Sequence, residues 1–226
     1  MTGVFLQVRL DSTRLPKKAL LPLGEKTVVE HAMRALSLVE ADSYVVLTDE
    51  ESAEELYPYV RDENFELFVG SKEDVLKRYA DAAREYGCGR VVRATGDNPL
   101  VSAEAARRIC ALHEESSADY SGFRGLPLGT GIECVETQAL FEAEHEAGSR
   151  HEREHVCPYI YEHPDRFIVN RPQAPSEYHF PEGRVTLDTK EDYKRLEELY
   201  EQLYRGGPVP IMEVIRYLST RQVVAG

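Results

Sequence analysis

The chain has 226 residues, of which 42% are hydrophobic and 30% are charged, and its formal net charge is −13. This composition is typical of a folded globular protein and excludes an intrinsically disordered chain, and the negative charge argues against nucleic-acid polymers and membranes as partners. No apolar run approaches the roughly 20 residues that cross a membrane, and the N-terminus lacks the pattern of a signal peptide, so we expect one cytoplasmic domain over residues 1–226.

The first half of the chain alternates short apolar segments with amphipathic ones. The apolar segments have the length and the boundaries of buried strands, and they cover residues 3–8, 44–47, 65–69 and 90–95. Helix-start signals follow at Thr27, Thr48, Ser71 and Ser102. We expect Pro58 to end the second helix and Gly87 to follow the third. This alternation predicts a three-layer, Rossmann-like α/β fold, with a mostly parallel sheet and helices on both faces.

The second half is less regular and is interpreted as an insertion in this fold. A glycine-rich loop is expected over 121–130 and an extended, proline-containing segment over 172–183. Strands are expected at 131–135 and 185–187, and helices at 137–147, 150–162 and 190–204.

Positive charge is concentrated in the loop after the first strand. Between residues 9 and 18 there are four cations and one anion, a local balance of 4 − 1 = +3 in an acidic chain. The loop has neither the Walker pattern nor a G-x-G-x-x-G fingerprint. Its hydroxyls, amides and cations are suited to wrapping a triphosphate, although a merely solvated basic loop is the simpler alternative.

Two carboxylates follow strands that are expected to end at the same edge of the sheet. Asp97 comes after the strand at 90–95, and Asp188 comes after the one at 185–187. Each alone is equally well explained by a turn or a helix cap. Together with the basic loop they form the set that phosphoryl or nucleotidyl transfer requires, namely cations for phosphates and two carboxylates for Mg²⁺.

Four motifs in this order resemble one known family. They read QVRLDSTRLPKK at 7–18, DVLKRY to GDNPL at 74–100, REHV to PYIY at 153–161, and VTLDT with EDY at 185–193. The chain resembles the cytidylyltransferases that activate acidic sugars, such as CMP-KDO and CMP-neuraminate synthetases. The similarity is closest to the branch named for spore-coat polysaccharide biosynthesis protein F. Asp11 and Lys17 stand where that branch typically has glycines, and they reach glycine-like backbone conformations only at a cost.

The resemblance implies a reaction and the residues that carry it. An acceptor oxygen attacks the α-phosphorus of CTP, CMP is transferred to a sugar or sugar-like acceptor, and pyrophosphate leaves. It implies that Asp97 and Asp188 hold Mg²⁺ and that the triphosphate is contacted by Arg9, Ser12, Arg14 and Lys18. Of these residues, Arg9, Lys18 and Asp97 are expected to be catalytic. Arg9 and Lys18 would stabilise the charge that builds toward the leaving pyrophosphate, and Asp97 would hold the Mg²⁺ that neutralises the α-phosphate.

The remaining expectations concern the base, the acceptor and a partner subunit. The nucleotide is further expected to contact Ser71, Arg78 and Thr95, and the acceptor to contact Glu133, Arg153, Glu154 and His155. Residues 121–180 are interpreted as a subregion for acceptor binding or dimerisation, and a homodimer is expected to form through 125–161, with a lid over the chain's own site as the alternative. Two other functions stay open: a nucleotidyltransferase acting on a sugar phosphate or an alcohol phosphate, and a nucleotide-binding module without turnover.

Overall fold

The computed structural model describes residues 1–225, and side-chain surroundings are described through residue 221. Its strands are β1 (Thr2–Gln7), β2 (Pro22–Leu23), β3 (Lys26–Thr27), β4 (Ser43–Thr48), β5 (Glu66–Val69), β6 (Arg90–Thr95), β7 (Tyr120–Ser121), β8 (Glu133–Glu136) and β9 (Val169–Asn170). Its helices are α1 (Val28–Leu36), α2 (Glu50–Asp62), α3 (Val75–Glu85), α4 (Ala103–Ser116), α5 (Thr137–Glu146), α6 (Arg150–His155), α7 (Pro158–Glu162), α8 (Lys190–Leu203) and α9 (Ile211–Ala225), with a short 3₁₀ helix at Lys18–Leu20.

One sheet organises the described part of the chain, with strand order β5-β4-β1-β6-β8-β7-β9. The first four strands are parallel, whereas β8 runs antiparallel to both of its neighbours, β6 and β7. Side chains alternate across the central strand, so that Val4 and Leu6 enter one apolar core and Phe5 enters the other. The predicted three-layer α/β fold with a mostly parallel sheet is confirmed.

A third apolar cluster packs the C-terminal helices against loops that follow the parallel strands. It joins α8 and α9 to the loop after β1 through Leu15, Leu187 and Leu199, each of them buried. The β2–β3 hairpin also enters this cluster through Leu23. Neither this hairpin nor α9 is anticipated by the sequence. Within the described residues, no helix has the length and apolar character needed to cross a membrane.

Several predicted helix starts are confirmed, and two lie elsewhere. Thr27 and Glu30 form the expected capping box at α1, and Ser102 caps α4. The start assigned to Thr48 is wrong, since the Asp49 carboxylate accepts the Ser52 N–H at 3.0 Å. The Ser71 cap is also wrong, because α3 begins after Asp74 and the Ser71 hydroxyl accepts the Asp74 N–H of the preceding turn.

Two predicted breaks also differ from the structure. Pro58 does not end α2, which continues to Asp62 with Leu56 and Val60 buried on either side of the exposed proline. The single helix expected over 150–162 is instead α6 and α7, separated at Val156. Val156 has φ 73°, and Pro158 then supplies the fixed φ that suits the first turn of α7.

The second-half strands are corrected as well. The segment expected at 131–135 is β8, which lies inside the sheet rather than at an edge. Residues 185–187 do not form a strand; Val185 instead donates one backbone hydrogen bond to the Leu128 carbonyl at 2.8 Å. Leu187 is fully buried in the third apolar cluster, and this packing, rather than a strand, fixes the residues that follow it.

Candidate active site

A partly buried lysine lies between two carboxylates beyond the carboxyl ends of the parallel strands. The Lys18 Nζ lies 2.6 Å from Asp97 Oδ2 and 3.0 Å from Asp188 Oδ1, and it donates to the Leu187 carbonyl at 2.7 Å. The Lys18 side chain is 12% exposed. Three segments far apart in sequence therefore meet at a single ammonium group.

The local structure of each segment explains this meeting. Asp97 follows β6 on a turn in which Gly96 donates to the Gln7 carbonyl at 2.8 Å. A Cβ at Gly96 would lie 2.4 Å from the Val8 side chain, so only glycine allows this approach of the two strand ends. Asp188 is held from the other side, where its N–H donates to Asp192 at 3.1 Å just before α8 begins.

The charges around Asp188 favour its ionised form. Burial alone would raise its pKa, but the hydrogen bond from Lys18 and the charges of Lys18, Arg14 and Arg184 outweigh burial and lower that pKa. Arg14 lies 3.2 Å from Asp188 Oδ1, and Arg184 lies 2.7 Å from Oδ2. Asp188 is thus a carboxylate surrounded by three cations.

The two carboxylates fit a divalent cation. Both carboxylates turn an oxygen toward one cationic nitrogen, and hard carboxylate oxygens are the ligands that Mg²⁺ takes in proteins. Among the described residues no group of three or more potential metal ligands is found. Mg²⁺ commonly uses one or two carboxylates and completes its coordination with substrate phosphates and water, so a two-carboxylate site is sufficient.

Two cations of the basic loop form ion pairs with acidic side chains of other segments. Arg9 lies 3.6 Å from Glu154 of α6, and Lys17 lies 2.7 Å from Glu55 of α2. The Ser12 hydroxyl accepts the Leu15 N–H at 3.5 Å, within the loop. The Arg9 and Arg14 side chains are 50% and 68% exposed, so a phosphate can replace their present partners at little cost.

Of the two positions where the family has glycine, only Lys17 has a left-handed backbone, with φ 54°. A side chain costs about 1–2 kcal/mol there. We therefore expect Lys17→Gly to be more stable than Lys17→Ala by roughly 1 kcal/mol in urea unfolding, because both variants lose the Glu55 ion pair and only glycine relieves the strain. An alanine variant as stable as the glycine variant would contradict this account.

The further residues assigned to the nucleotide lie around the start of α3 and at the end of β6. Arg78 is 1% exposed, and its Nε donates to the Ser71 carbonyl at 2.8 Å, so it holds the turn before α3 in place. Burial lowers the pKa of Arg78. A Cβ at Gly70 would lie 2.7 Å from the Arg78 side chain, which keeps this turn close to the guanidinium. Thr95 ends β6, and its hydroxyl accepts a hydrogen bond from Asn98 at 2.6 Å.

A cavity of about 430 Å³ opens between the end of β6 and the loop from β7 to β8, and Thr95 and Asn98, on either side of Asp97 in sequence, line it. Its polar lining includes Thr95, Glu133 and His155, all of which the sequence assigns to nucleotide or acceptor. Glu154 is nearby on α6 and pairs with Arg9 and Arg150. Arg153 is directed elsewhere, donating to Asp74 at 3.0 Å and to the Glu144 carbonyl at 2.5 Å, so it ties α6 to α3 and α5.

The cavity also contains functional groups that the sequence did not single out. Arg93 pairs with Glu133 across β6 and β8, and Tyr120 donates to Glu133 at 2.7 Å. Burial alone would lower the pKa of Arg93, but the charge of Glu133 outweighs it and raises that pKa. Among the described residues, Arg93 Nε is one of the few buried polar atoms without a partner. A charged residue between the apolar residues Val92 and Ala94 of β6 was the available signal.

Two further groups complete the polar wall. Arg171 lines the cavity with its guanidinium 4.9 Å from the Tyr161 ring centre, where the aromatic face supports the cation. Burial, together with the nearby charges of His151 and Arg93, lowers the pKa of His155. The His155 ring is therefore neutral near pH 7 and keeps one nitrogen able to accept a proton or a hydrogen bond.

Comparison with known proteins places this geometry in context. A family model described as cytidylyltransferase matches residues 4–208. The chain is 33% identical over 221 residues to the spore coat polysaccharide biosynthesis protein SpsF of Bacillus subtilis, covering 95% of this chain and 92% of that protein. A cytidylyltransferase structure from Leptospira borgpetersenii is 27% identical with a TM-score of 0.89, covering 99% and 95% of the two chains. The CMP:2-keto-3-deoxy-manno-octonic acid synthetase complexed with CTP shares the fold at 13% identity and a TM-score of 0.69, covering 89% and 98%.

Proposed function

Because this chain belongs to the cytidylyltransferase family, we propose that it transfers CMP from CTP to a sugar or sugar-like acceptor and releases pyrophosphate. The observation that carries the proposal is the meeting of Lys18 with Asp97 and Asp188, which come from segments far apart in sequence. A role in surface polysaccharide synthesis is supported by the relative SpsF, whose name refers to spore coat polysaccharide.

In this proposal the basic loop binds the triphosphate. Arg9, Ser12 and Arg14 contact its oxygens, and Arg14 leaves Asp188 to do so. Lys18 stays at the cluster and stabilises the charge that builds toward the leaving pyrophosphate. Asp97 and Asp188 would hold Mg²⁺, which when bound supplies a hard positive charge beside the α-phosphate.

The acceptor occupies the cavity lined by Glu133, His155 and Arg171. Its hydroxyl oxygen loses its proton to water and forms a bond to the α-phosphorus of CTP as the bond from that phosphorus to pyrophosphate breaks, so the protein needs no nucleophile of its own. The neutral His155 ring orients the acceptor by accepting a hydrogen bond. Because Arg153 donates a hydrogen bond to Asp74, we assign Arg153 the role of positioning α6 rather than of binding the acceptor.

We test the reaction by measuring pyrophosphate release from CTP, UTP, ATP and GTP against acidic sugars and phosphorylated alcohols. We expect CTP with an acidic sugar to give the highest kcat/KM, an expectation that rests on the family rather than on a base-reading residue. Comparable turnover with UTP would reject the cytidine assignment. Release only with phosphorylated alcohols would favour the sugar-phosphate or alcohol-phosphate alternative. A nucleotide that binds without any release would favour the binding module.

The organisation of the chain is part of the same proposal. Residues 1–226 form one nucleotidyltransferase domain, and 121–180 serve acceptor binding and dimerisation. All four cysteines are free thiols, which favours a cytoplasmic location.

The proposed homodimer forms through residues 125–161. Within this range Leu128 is an apolar side chain that is 54% exposed, and just outside it Ile168, which is 57% exposed, precedes the edge strand β9. An edge with exposed apolar groups is commonly covered by a second subunit. We expect sedimentation at micromolar concentration to give twice the 25.6 kDa chain mass. A species of single-chain mass would reject the stable dimer.

A site shared between subunits is tested by mixing two inactive variants. If Asp97 and His155 of one site come from different subunits, a mixture of Asp97→Asn and His155→Ala chains regains activity in mixed dimers. Activity that stays absent in the mixture, although exchange of subunits is verified, would place both residues of each site in one chain and favour a lid by residues 125–161.

A further inference from the structure

Two of the four cysteines face each other between α4 and β8. The Cys110 Sγ on α4 lies 3.1 Å from the Cys134 Sγ on β8, and both thiols belong to the apolar core on one face of the sheet. The other two cysteines, Cys88 and Cys157, are buried in the core on the opposite face. Cys110 and Cys134 therefore form a dithiol between positions that are 24 residues apart in sequence.

The surroundings of this dithiol do not complete a metal site. A structural zinc ion takes four ligands from cysteine, histidine and carboxylate side chains. In the part of the chain that the structure describes, no three such side chains are grouped to hold a metal ion. The chemistry that remains for two adjacent thiols is oxidation to a disulfide.

The backbone already holds the two thiols in place for this bond. A disulfide has a sulfur–sulfur distance of about 2.0 Å, so the two sulfurs need to approach by about 1 Å. His113, one turn after Cys110 on α4, is hydrogen-bonded at 2.8 Å to Ser121, which is paired opposite Cys134 in the sheet. This contact fixes α4 against β7 and β8, so the bond can form without rearrangement of either element.

The two thiols differ in access and in acidity. Cys110 is half-buried, whereas Cys134 is fully buried, so an oxidant that arrives from solvent reaches Cys110 first. The hydrogen bond from the Cys134 thiol lowers the pKa of Cys110, and the positive charge of Arg90 acts in the same direction against the effect of burial. The same hydrogen bond raises the pKa of Cys134. Because the thiolate is the reactive form, Cys110 is the attacking sulfur and Cys134 the resolving one.

We propose that Cys110 and Cys134 are an oxidation site, at which a peroxide forms a reversible disulfide between α4 and β8. The Cys110 thiolate attacks one oxygen of hydrogen peroxide, the O–O bond breaks, and hydroxide leaves with the proton that Cys110 lost, as water. The Cys134 sulfur then bonds to the Cys110 sulfur as the S–O bond of the sulfenic acid breaks, and the hydroxyl leaves with the Cys134 proton as a second water. Two thiols are thereby oxidised by two electrons, and one peroxide is reduced. A small thiol such as glutathione reverses the reaction by exchange.

The disulfide closes a ring that contains one wall of the proposed acceptor cavity. The chain between Cys110 and Cys134 includes β7 and the loop to β8, and more than half of the residues that line the cavity belong to this stretch, among them Tyr120, Leu126 and Glu133. A cross-link stabilises a fold mainly by restricting the unfolded chain, and more so for long rings. We therefore expect the oxidised chain to be the more stable form, with this wall joined covalently to α4.

Peptide mapping of the unmodified full chain tests the site. After brief exposure to hydrogen peroxide, two of the four thiols should no longer react with a thiol-blocking reagent, and dithiothreitol should restore them. Trypsin places each cysteine in a different peptide, with Cys110 in 109–124 and Cys134 in 125–150. We expect these two peptides to be recovered as one disulfide-linked species. A linkage that includes Cys88 or Cys157, or oxidation of Cys110 without any linkage, would overturn the proposal.

Variants test the order of the two steps. Cys134→Ala lacks the resolving thiol and should retain Cys110 as a sulfenic acid, which dimedone traps, whereas Cys110→Ala should leave Cys134 unreacted at the same peroxide dose. Cys88→Ala is the matched control and should form the disulfide like the unmodified chain, because Cys88 lies in the other core. Equal trapping by dimedone in the unmodified and Cys134→Ala chains would overturn the role of Cys134. The peptide map needs no variant, so it decides the proposal even if a substituted chain does not fold.

Urea unfolding tests the effect of the ring. We expect the oxidised chain to unfold at a midpoint roughly 1 M higher than the reduced chain, and peroxide to leave the midpoint of Cys110→Ala unchanged. A midpoint that is unchanged or lower after the disulfide has formed would overturn the constraint on the cavity wall. None of these measurements uses CTP or an acceptor, so their outcome is independent of the proposed function.

Discussion

Asp97→Asn and Asp188→Asn are each expected to lower kcat by roughly 10²–10³-fold while leaving the fold intact. Each substitution keeps the size of the side chain and removes the negative charge that a divalent cation requires. The two residues converge on Lys18 from different segments, so we expect neither to compensate for the other. The measurement is pyrophosphate release as a function of Mg²⁺ concentration, together with urea unfolding of each variant.

Glu55→Gln is the matched control for these two variants. Glu55 is also a carboxylate paired with a lysine of the basic loop, but it lies on α2 and is 44% exposed. Its substitution should change kcat less than about twofold, as expected for an exposed pair. Near-normal turnover of either aspartate variant at limiting Mg²⁺ would show that this aspartate is not a metal ligand.

Lys18→Ala and Arg14→Ala are expected to weaken CTP binding by at least roughly tenfold, whereas Lys17→Ala should change it little. All three residues are cations of one loop, but only Lys18 and Arg14 contact Asp188. Lys17 pairs with Glu55, away from the cluster. Titration of each variant with CTP measures the difference, and equal losses at all three positions would mean that net charge rather than position binds the triphosphate.

Loss of Lys18 should also make stability depend on Mg²⁺. Without the ammonium group, Asp97 and Asp188 are adjacent like charges, and we expect the free energy of unfolding of Lys18→Ala to fall by about 1–2 kcal/mol. A divalent cation that binds between them should restore most of this loss, whereas the unmodified chain should respond little to Mg²⁺. A Lys18→Ala chain that is insensitive to Mg²⁺ would argue against a metal site at these carboxylates.

The parts of the fold that the sequence predicted well are those encoded by neighbouring residues. The apolar run at 3–8 and the capping box of Thr27 and Glu30 needed no information from distant segments. The family resemblance, carried by four ordered motifs, is confirmed by the match over residues 4–208. Of the two positions where the resembled branch has glycine, Lys17 has a left-handed backbone and Asp11 does not.

Features that depend on distant pairing were harder to predict. Asp188 was placed beside Asp97 by assuming a strand at 185–187, but its position comes from the burial of Leu187 and one hydrogen bond of Val185. No local pattern in the sequence indicates that β8 pairs antiparallel with both β6 and β7. The pairing of Arg93 with Glu133 was therefore not predicted. The placement of Arg153 against Asp74 likewise depends on how α6 packs on α3, which no single-segment pattern contains.

The antiparallel return of β8 has a consequence for how such an enzyme diversifies. The loop between β7 and β8 begins and ends on adjacent paired strands, with Tyr120 opposite Val135 and Ser121 opposite Cys134. It can therefore change in length or composition during evolution without shifting the strand register beneath it. Isolated β-bridges join it to Gln173 and Arg184, so the conformation of this loop depends on that of the segment 172–185. A graft that exchanges both segments together would keep these two bridges intact.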